Sequence, residues 1–330
     1  MAALTQNAFT WGFVCGRVCV LERGLLGADF YHALLGHLRT EDLLRHLQET
    51  PLRDDVTAAG SWEDWSAIID RNFYHQVASL RKDCPDKRVP DLFLLQGDYQ
   101  NLKRALLKDA VYPFPHAMLT PENLAAVAGG DVLALPKPFS ETARMAMQLL
   151  DEGRNRAELD RALDGAYLQH IVASARETKV PLVSEYFETH ALLRAIVMMW
   201  RSYLAGNSLS APAARILPLD GPANETVRDL AAAAEPKNWG GVAKGRIGAL
   251  LTEFASSEDS DAPQRFELAA NEYLSEVSRE GKGQVFGPER VFSYICELAT
   301  QAYNLKLVVC GRLSKIDADV LKRRLRKSHA

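Results

Sequence analysis

The chain has 330 residues and a mass of 36.6 kDa, more than one compact domain usually holds, so two or three domains or several modules of one type are expected. With 47% apolar and 25% charged residues it falls outside the disordered and disulfide-scaffold classes. Its 39 basic and 42 acidic residues leave a net charge of −3, so no global attraction for nucleic acid is expected.

The start, Met1 to Thr10, lacks a basic region followed by an apolar core, and no secretory signal is expected there. Arg17-Val-Cys-Val-Leu21 is the nearest thing to a strand pattern, but it is short and runs into Glu22-Arg-Gly. Helical periodicity dominates the rest. Leu26, Phe30, Leu34 and Leu38 step by four, and Leu44 and Leu47 continue that face. Leu95, Tyr99, Leu102 and Leu106 form a second stripe; Val291, Ile295, Leu298, Ala302, Leu305 and Val309 form a third. The pattern predicts an all-α fold. The longest strictly apolar run is the six residues Ala195 to Trp200, against the roughly twenty needed to cross a bilayer.

Proline-rich breaks near 113–138 and 208–224 cut the chain into segments 1–112, 113–220 and 221–330, which resemble one another. Each carries a helix with one recurring pattern. It reads Asp98-Tyr-Gln-Asn101-Leu102-Lys103-Arg104, then Thr189-His-Ala-Leu192-Leu193-Arg194, then Gln301-Ala-Tyr-Asn304-Leu305-Lys306. Upstream of the second and third comes another shared piece, Glu158 to Tyr167 and Phe266 to Tyr273. Three helical modules presenting one common face can pack about a central axis. An Asn on that face can bond across a contact, and a basic residue can reach the pore or rim. The competing reading makes Asn101, Asn304 and the following bases ordinary surface positions.

Chemical motifs are poorly supported. Gly240-Gly-Val-Ala-Lys244-Gly245-Arg246-Ile247 approaches a phosphate-binding loop, but Arg246 and Ile247 stand where the lysine and the magnesium-binding hydroxyl belong. It reads as a helix start with small residues for close packing. Cys15 and Cys19 have no second Cys/His pair at zinc spacing, and His32, His37 and His46, on one predicted helix, include no i, i+4 pair. The five cysteines read as reduced thiols of a cytosolic protein. No catalytic, cofactor or metal site is expected. The run Lys322-Arg323-Arg324 with Arg326 and Lys327 reads first as a solvated helix end. A contact with an acidic partner or anionic lipid ranks second, and RNA binding last.

Four pieces in order carry a family resemblance. They are Gly16-Arg17 to Leu26, Asp98 to Lys103, Glu158 to Tyr167 with Arg194, and a terminal block with Phe286-Gly-Pro, Tyr294-Ile, Asn304-Leu-Lys306 and Gly311-Arg. Together they span nearly the whole chain, which resembles the C-type stalk proteins of the V/A-type ATPases, the prokaryotic counterparts of the d-type protein of the eukaryotic V-ATPase. Cys19 and the Leu298-Ala-Thr-Gln301 stretch depart from that family's charged positions, and Leu192 stands where the other two copies have Asn. The resemblance implies a non-enzymatic coupling part with three similar helical modules about a pseudo-threefold axis, funnel-like with a central cavity. Its implied partners are the D and F components of the central shaft, which plug into the cavity, and the membrane proteolipid ring beneath. The implied place is the cytoplasmic face of the membrane, touched only through the ring. Lys103, Arg104, Arg194 and Lys306 are the candidate partner-binding residues. An α-helical repeat scaffold for protein–protein interaction is the alternative.

Overall fold

A computed structural model describes residues 2–36, 40–58, 65–108, 118–210, 222–257 and 261–328. Every regular element among them is helical. The first are α1 (Ala2–Leu21), α2 (Ala28–Gly36), α3 (Thr40–Gln48), α4 (Arg53–Ala58), α5 (Trp65–Asp83) and α6 (Arg88–Leu106). Next come α7 (Pro121–Ala128), α8 (Phe139–Asp151), α9 (Arg156–Glu177) and α10 (Pro181–Leu204). The last are α11 (Pro222–Ala232), α12 (Gly245–Phe254), α13 (Ala262–Arg279), α14 (Pro288–Leu313) and α15 (Ala318–Lys322). Short 3-10 turns lie at Glu22–Gly24, Pro236–Gly241 and Glu280–Gly283. One order recurs: short helices, then two long ones in succession, as in α5 with α6, α9 with α10, and α13 with α14.

Local chemistry sets the ends. Thr120 caps α7 through a capping box with Asn123, Asn155 caps α9, and Asp317 caps α15. Proline opens α7, α10 and α14, where a missing N–H costs nothing. Lys108, Lys179 and Lys315, each two residues past a long helix, take φ of 54°, 57° and 58°, the left-handed position that glycine usually fills.

The chain forms two compact units. One takes Met1–Leu94 together with Ser275–Ala330, so both ends of the sequence build it; the other takes most of 95–274. In the first unit, Trp11, Val14, Cys15 and Val18 of α1 pack with Tyr74, Val77, Leu80, Leu94, Val291, Tyr294 and Ile295. A second core there joins Tyr31, Leu34, Leu43, Leu47, Ile68 and Ile69 to Leu305, Val308, Val309 and Leu321. In the other unit, Trp200 stacks edge-on to Trp239, whose indole N–H donates to the Leu230 carbonyl at 2.9 Å, and tilts against Phe266.

The second stripe is buried throughout, and the third throughout except for half-buried Ala302. Arg17–Leu21, the nearest approach to a strand pattern, is the last turn of α1. Two expectations change. The single helix carrying His32, His37 and His46 is two elements: α2 ends at Gly36, a weak helix former, and α3 begins at Thr40, while His37 and Leu38 lie outside the described residues. The last basic helix is only the five residues of α15, because the chain beyond it is held in another conformation by α14. No described helix is long and apolar enough to cross a membrane.

Candidate functional site

The recurring basic residue sits in the middle or last third of a long helix and finds an acid on a helix from another segment. Lys103 of α6 meets Asp160 of α9 at 2.6 Å. Arg194 of α10 meets Glu267 of α13 at 3.7 Å, and Arg201, two turns on, grips the same carboxylate at 2.5 Å. Lys306 of α14 meets Asp70 of α5 at 2.6 Å. Taken over segments 1–112, 113–220 and 221–330, the pairs run from first to second, second to third, and third back to first. Arg104, beside Lys103, is half-buried.

The acids share a register. Each follows a fully buried apolar residue: Ile69, Leu159 or Phe266. Burial of that neighbour turns the next side chain to the rim of the helix, where the incoming base can reach it. Asp70, Asp160 and Glu267 precede Lys103, Arg194 and Lys306 by 33, 34 and 39 residues. The first copy of the upstream piece, Ile69-Asp70-Arg71-Asn72-Phe73, is not among the shared pieces recognised in the sequence alone. Its signal is the near-match to Leu159-Asp160-Arg161-Ala162-Leu163 and the almost constant offset from acid to base.

The first residue of the recurring pattern has a second task. Asp98 is fully buried, and its Oδ1 accepts the N–H of Leu119 at 2.7 Å, one residue before the cap of α7. Gln301, also buried, accepts the N–H of Leu26 at 2.8 Å, just before α2. Each therefore holds the loop that leads into a short helix, α7 for Asp98 and α2 for Gln301. Thr189 stands at the matching place in α10, and residues 211–221 lie outside the described residues.

Asn304 is likewise fully buried. Its Nδ2 donates to the Arg326 carbonyl at 2.9 Å and its Oδ1 accepts the Arg326 N–H at 3.0 Å. The Arg326 guanidinium lies 3.6 Å from the Tyr303 ring centre. These contacts take the backbone of the basic terminal run out of the helix. Asn304 thus bonds to a chain terminus rather than across a helix–helix contact. Asn101 is buried at the matching place in α6, and Leu192 is buried in α10.

Electrostatics separate the groups further. Burial raises the Asp164 carboxyl, opposed by the nearby charges of Arg194 and Lys103. Those two predicted residues therefore act on one acid, whose side chain is nonetheless exposed to solvent, so the desolvation of Asp164 is only partial. Arg104 belongs to the same unit, whereas Lys306 belongs to the other. An aromatic nest of Tyr99, Phe139, Tyr167 and His170 lies in the same unit as Asp164. Burial lowers His170 to about 4 and raises Tyr99 to about 12.

At the loop resembling a phosphate cradle, Gly245 (φ +65°) opens α12 with no strand before it. A Cβ on Gly248 would lie 2.1 Å from the Ala243 carbonyl oxygen, so the small residues there serve close packing. Among the described residues no cluster of three or more His, Cys, Asp or Glu is placed to hold a metal ion. Cys15, Cys84 and Cys296 are buried free thiols, and Cys19 and Cys310 are exposed ones.

A family model described as the ATP synthase (C/AC39) subunit matches residues 14–324. The search of curated proteins gave no match.

Proposed function

The chain belongs to the ATP synthase (C/AC39) subunit family of the V/A-type ATPases, and from that premise we propose that it is the non-catalytic central-stalk part of the rotor. In this reading it transmits torque between the D–F shaft and the membrane proteolipid ring, at the cytoplasmic face of the membrane. Three similar helical modules, 1–112, 113–220 and 221–330, stand about a pseudo-threefold axis and leave a central cavity for the shaft. A part that passes torque has to be stiff, and close-packed helices joined at every seam meet that need.

The observation that carries the reading is the order of the ion pairs. An open superhelical scaffold pairs each segment with its neighbours only. Here Lys306 and Gln301 of the last segment engage Asp70 and Leu26 of the first, a pairing of segments distant in sequence that supports the rotor reading over a scaffold.

Shaft binding is assigned to the cavity around Lys103, Arg104, Arg194 and Lys306. Three of these already hold acids at the seams, so acidic groups of the shaft compete with Asp160, Glu267 and Asp70 for them. Such an interface weakens with added salt. The test is co-purification of the tagged chain with the shaft and with the ring from membranes; a chain that brings down neither defeats the proposal.

A further inference from the structure

The basic run after α15 is held in place. Between Arg312 and Lys327 there are seven bases and two acids, in a chain whose net charge is −3. One of the acids, Asp317, is committed to the cap of α15, where its Oδ1 accepts the Asp319 N–H at 2.8 Å. Leu321 is buried against Gly311, where a Cβ would collide with the leucine side chain. Arg326 is clamped by Asn304, seven residues earlier in α14 than Gly311. The chain from 321 to 326 therefore runs back along about 10 Å of α14, with Leu325 packed on the core beneath it. The Ser328 hydroxyl ties the far end to the Leu26 carbonyl at 3.0 Å, three residues from the exposed Arg23. This backing leaves Lys315, Lys322, Arg323, Arg324 and Lys327 exposed. Arg23, Lys315, Lys322, Arg323 and Arg324 make no ion pair among the described residues.

We propose that this pinned basic run, with Arg23 beside it, is a binding surface for the headgroups of anionic phospholipids. Clusters of about four to eight bases are of the size that binds such headgroups. Lys322, Arg323 and Arg324 are consecutive on helical backbone, so their side chains leave it about 100° apart. They fan out instead of closing on one carboxylate, which suits a plane of many phosphates better than a single acid of a folded partner. An apolar side chain joins them. Ile316, next to Lys315, is 40% exposed, and such a side chain can enter the boundary between headgroups and acyl chains. RNA is disfavoured because the aromatic ring beside the run, Tyr303, is covered on one face by the Arg326 guanidinium, where a base would stack. Direct contact with lipid adds a second anchor to a part that the rotor reading places at the membrane through the ring alone.

The experiment sediments the native full-length chain with vesicles of phosphatidylcholine alone and of phosphatidylcholine mixed with phosphatidylglycerol. The chain is expected to pellet with the anionic vesicles only, and less as salt is added. Arg323→Gln with Arg324→Gln is expected to keep native thermal unfolding and to weaken vesicle binding at least about tenfold. Arg323→Lys with Arg324→Lys, which keeps the charge, is expected to bind as the native chain does. So is Lys82→Gln with Lys87→Gln, which removes the same charge from exposed positions outside the run. Pelleting of the native chain with neither vesicle, or equally with both, overturns the proposal, as does an equal loss in the two glutamine variants. Release by inorganic phosphate, at an ionic strength where chloride releases nothing, overturns it in favour of a discrete phosphate site. Tighter binding to polyuridylate than to the anionic vesicles, lost in the Arg323→Gln, Arg324→Gln variant, overturns it in favour of RNA. Recovery of shaft or ring lost in that variant while vesicle binding is kept overturns it in favour of an acidic protein. The rotor reading fails separately, when the native chain recovers neither shaft nor ring.

Discussion

Asp98 on α6 and Gln301 on α14 occupy one place in the recurring pattern, and each takes the backbone N–H of an incoming loop, yet one is an acid and the other an amide. The surroundings differ as well. Near Gln301 the Leu26 carbonyl also accepts from the Ser328 hydroxyl at 3.0 Å, and Asn304 holds the chain two residues earlier at Arg326. The loop at Leu119 is anchored by Asp98 and by the capping box that follows it. The same latch is therefore backed up by a terminal segment in one unit and by a helix cap in the other. A single lost bond is cushioned where several short bonds converge, and is felt where one buried carboxylate carries the contact.

The largest expected effect comes from removing the support around Gln301. Asn304→Leu leaves the Arg326 N–H and carbonyl without their buried partner and is expected to cost about 2–4 kcal/mol in urea unfolding. Leucine stands at that place in α10, so the cost measures the terminal segment rather than the helix. Asp98→Ala, which strands the Leu119 N–H, is expected to cost about 2 kcal/mol, against about 1 kcal/mol for Gln301→Ala. Equal costs would break the contrast between a cushioned and an uncushioned latch.

A pH series sharpens it from the unit that holds Asp98. His170 lies at about 4 in the folded chain, below its ordinary 6.5. The unfolded chain takes up a proton that the folded one refuses, so this contribution is complete above about pH 6.5 and is lost as pH falls towards 4. The raised Asp164 carboxyl acts in the opposite sense, so the readout is the difference between native and His170→Gln. The variant is expected to lose up to roughly 2 kcal/mol of the stability change over that interval. An unchanged slope would remove His170 from the account.

The smallest effects belong to the ion pairs. Double-mutant cycles on Lys103 with Asp160 and on Lys306 with Asp70 are expected to give coupling of about 0.2–1 kcal/mol each, decreasing with salt. Charge reversal of both partners at once, as Lys306→Glu with Asp70→Lys, should restore most of what either single change loses. Their value lies in register more than in strength.

Much of this was legible in the sequence because helices write their buried faces at fixed spacing. The stripes through Leu102 and Leu305 sit at the spacing that burial requires, and the recurring Asn-Leu-basic pattern located the helices that hold the seams. The partners were not legible. Whether Lys306 meets Asp70 depends on which helices become neighbours, and 236 residues separate the two. Nor does Asn304 announce its partner, since Arg326 lies in a charged run that reads as an ordinary helix end. The exposed Phe9 and Phe13 differ from the buried Trp11 and Val14 only in direction, and apolar residues around most of α1 leave little phase from which to read it.

That one compact unit is built from both ends of the chain bears on how it comes into being. During synthesis α1 to α5 emerge early, while the helix that completes their core, α14, begins only at Pro288. At the usual pace of about 5–20 residues per second, the wait between Leu94 and Pro288 is roughly 10–40 s. Over that interval the side chains later closed by Leu305, Val308 and Val309 face water or a chaperone. The other unit is fully synthesised at Leu274, before α14 emerges, so it can close while the first still waits for its last helix.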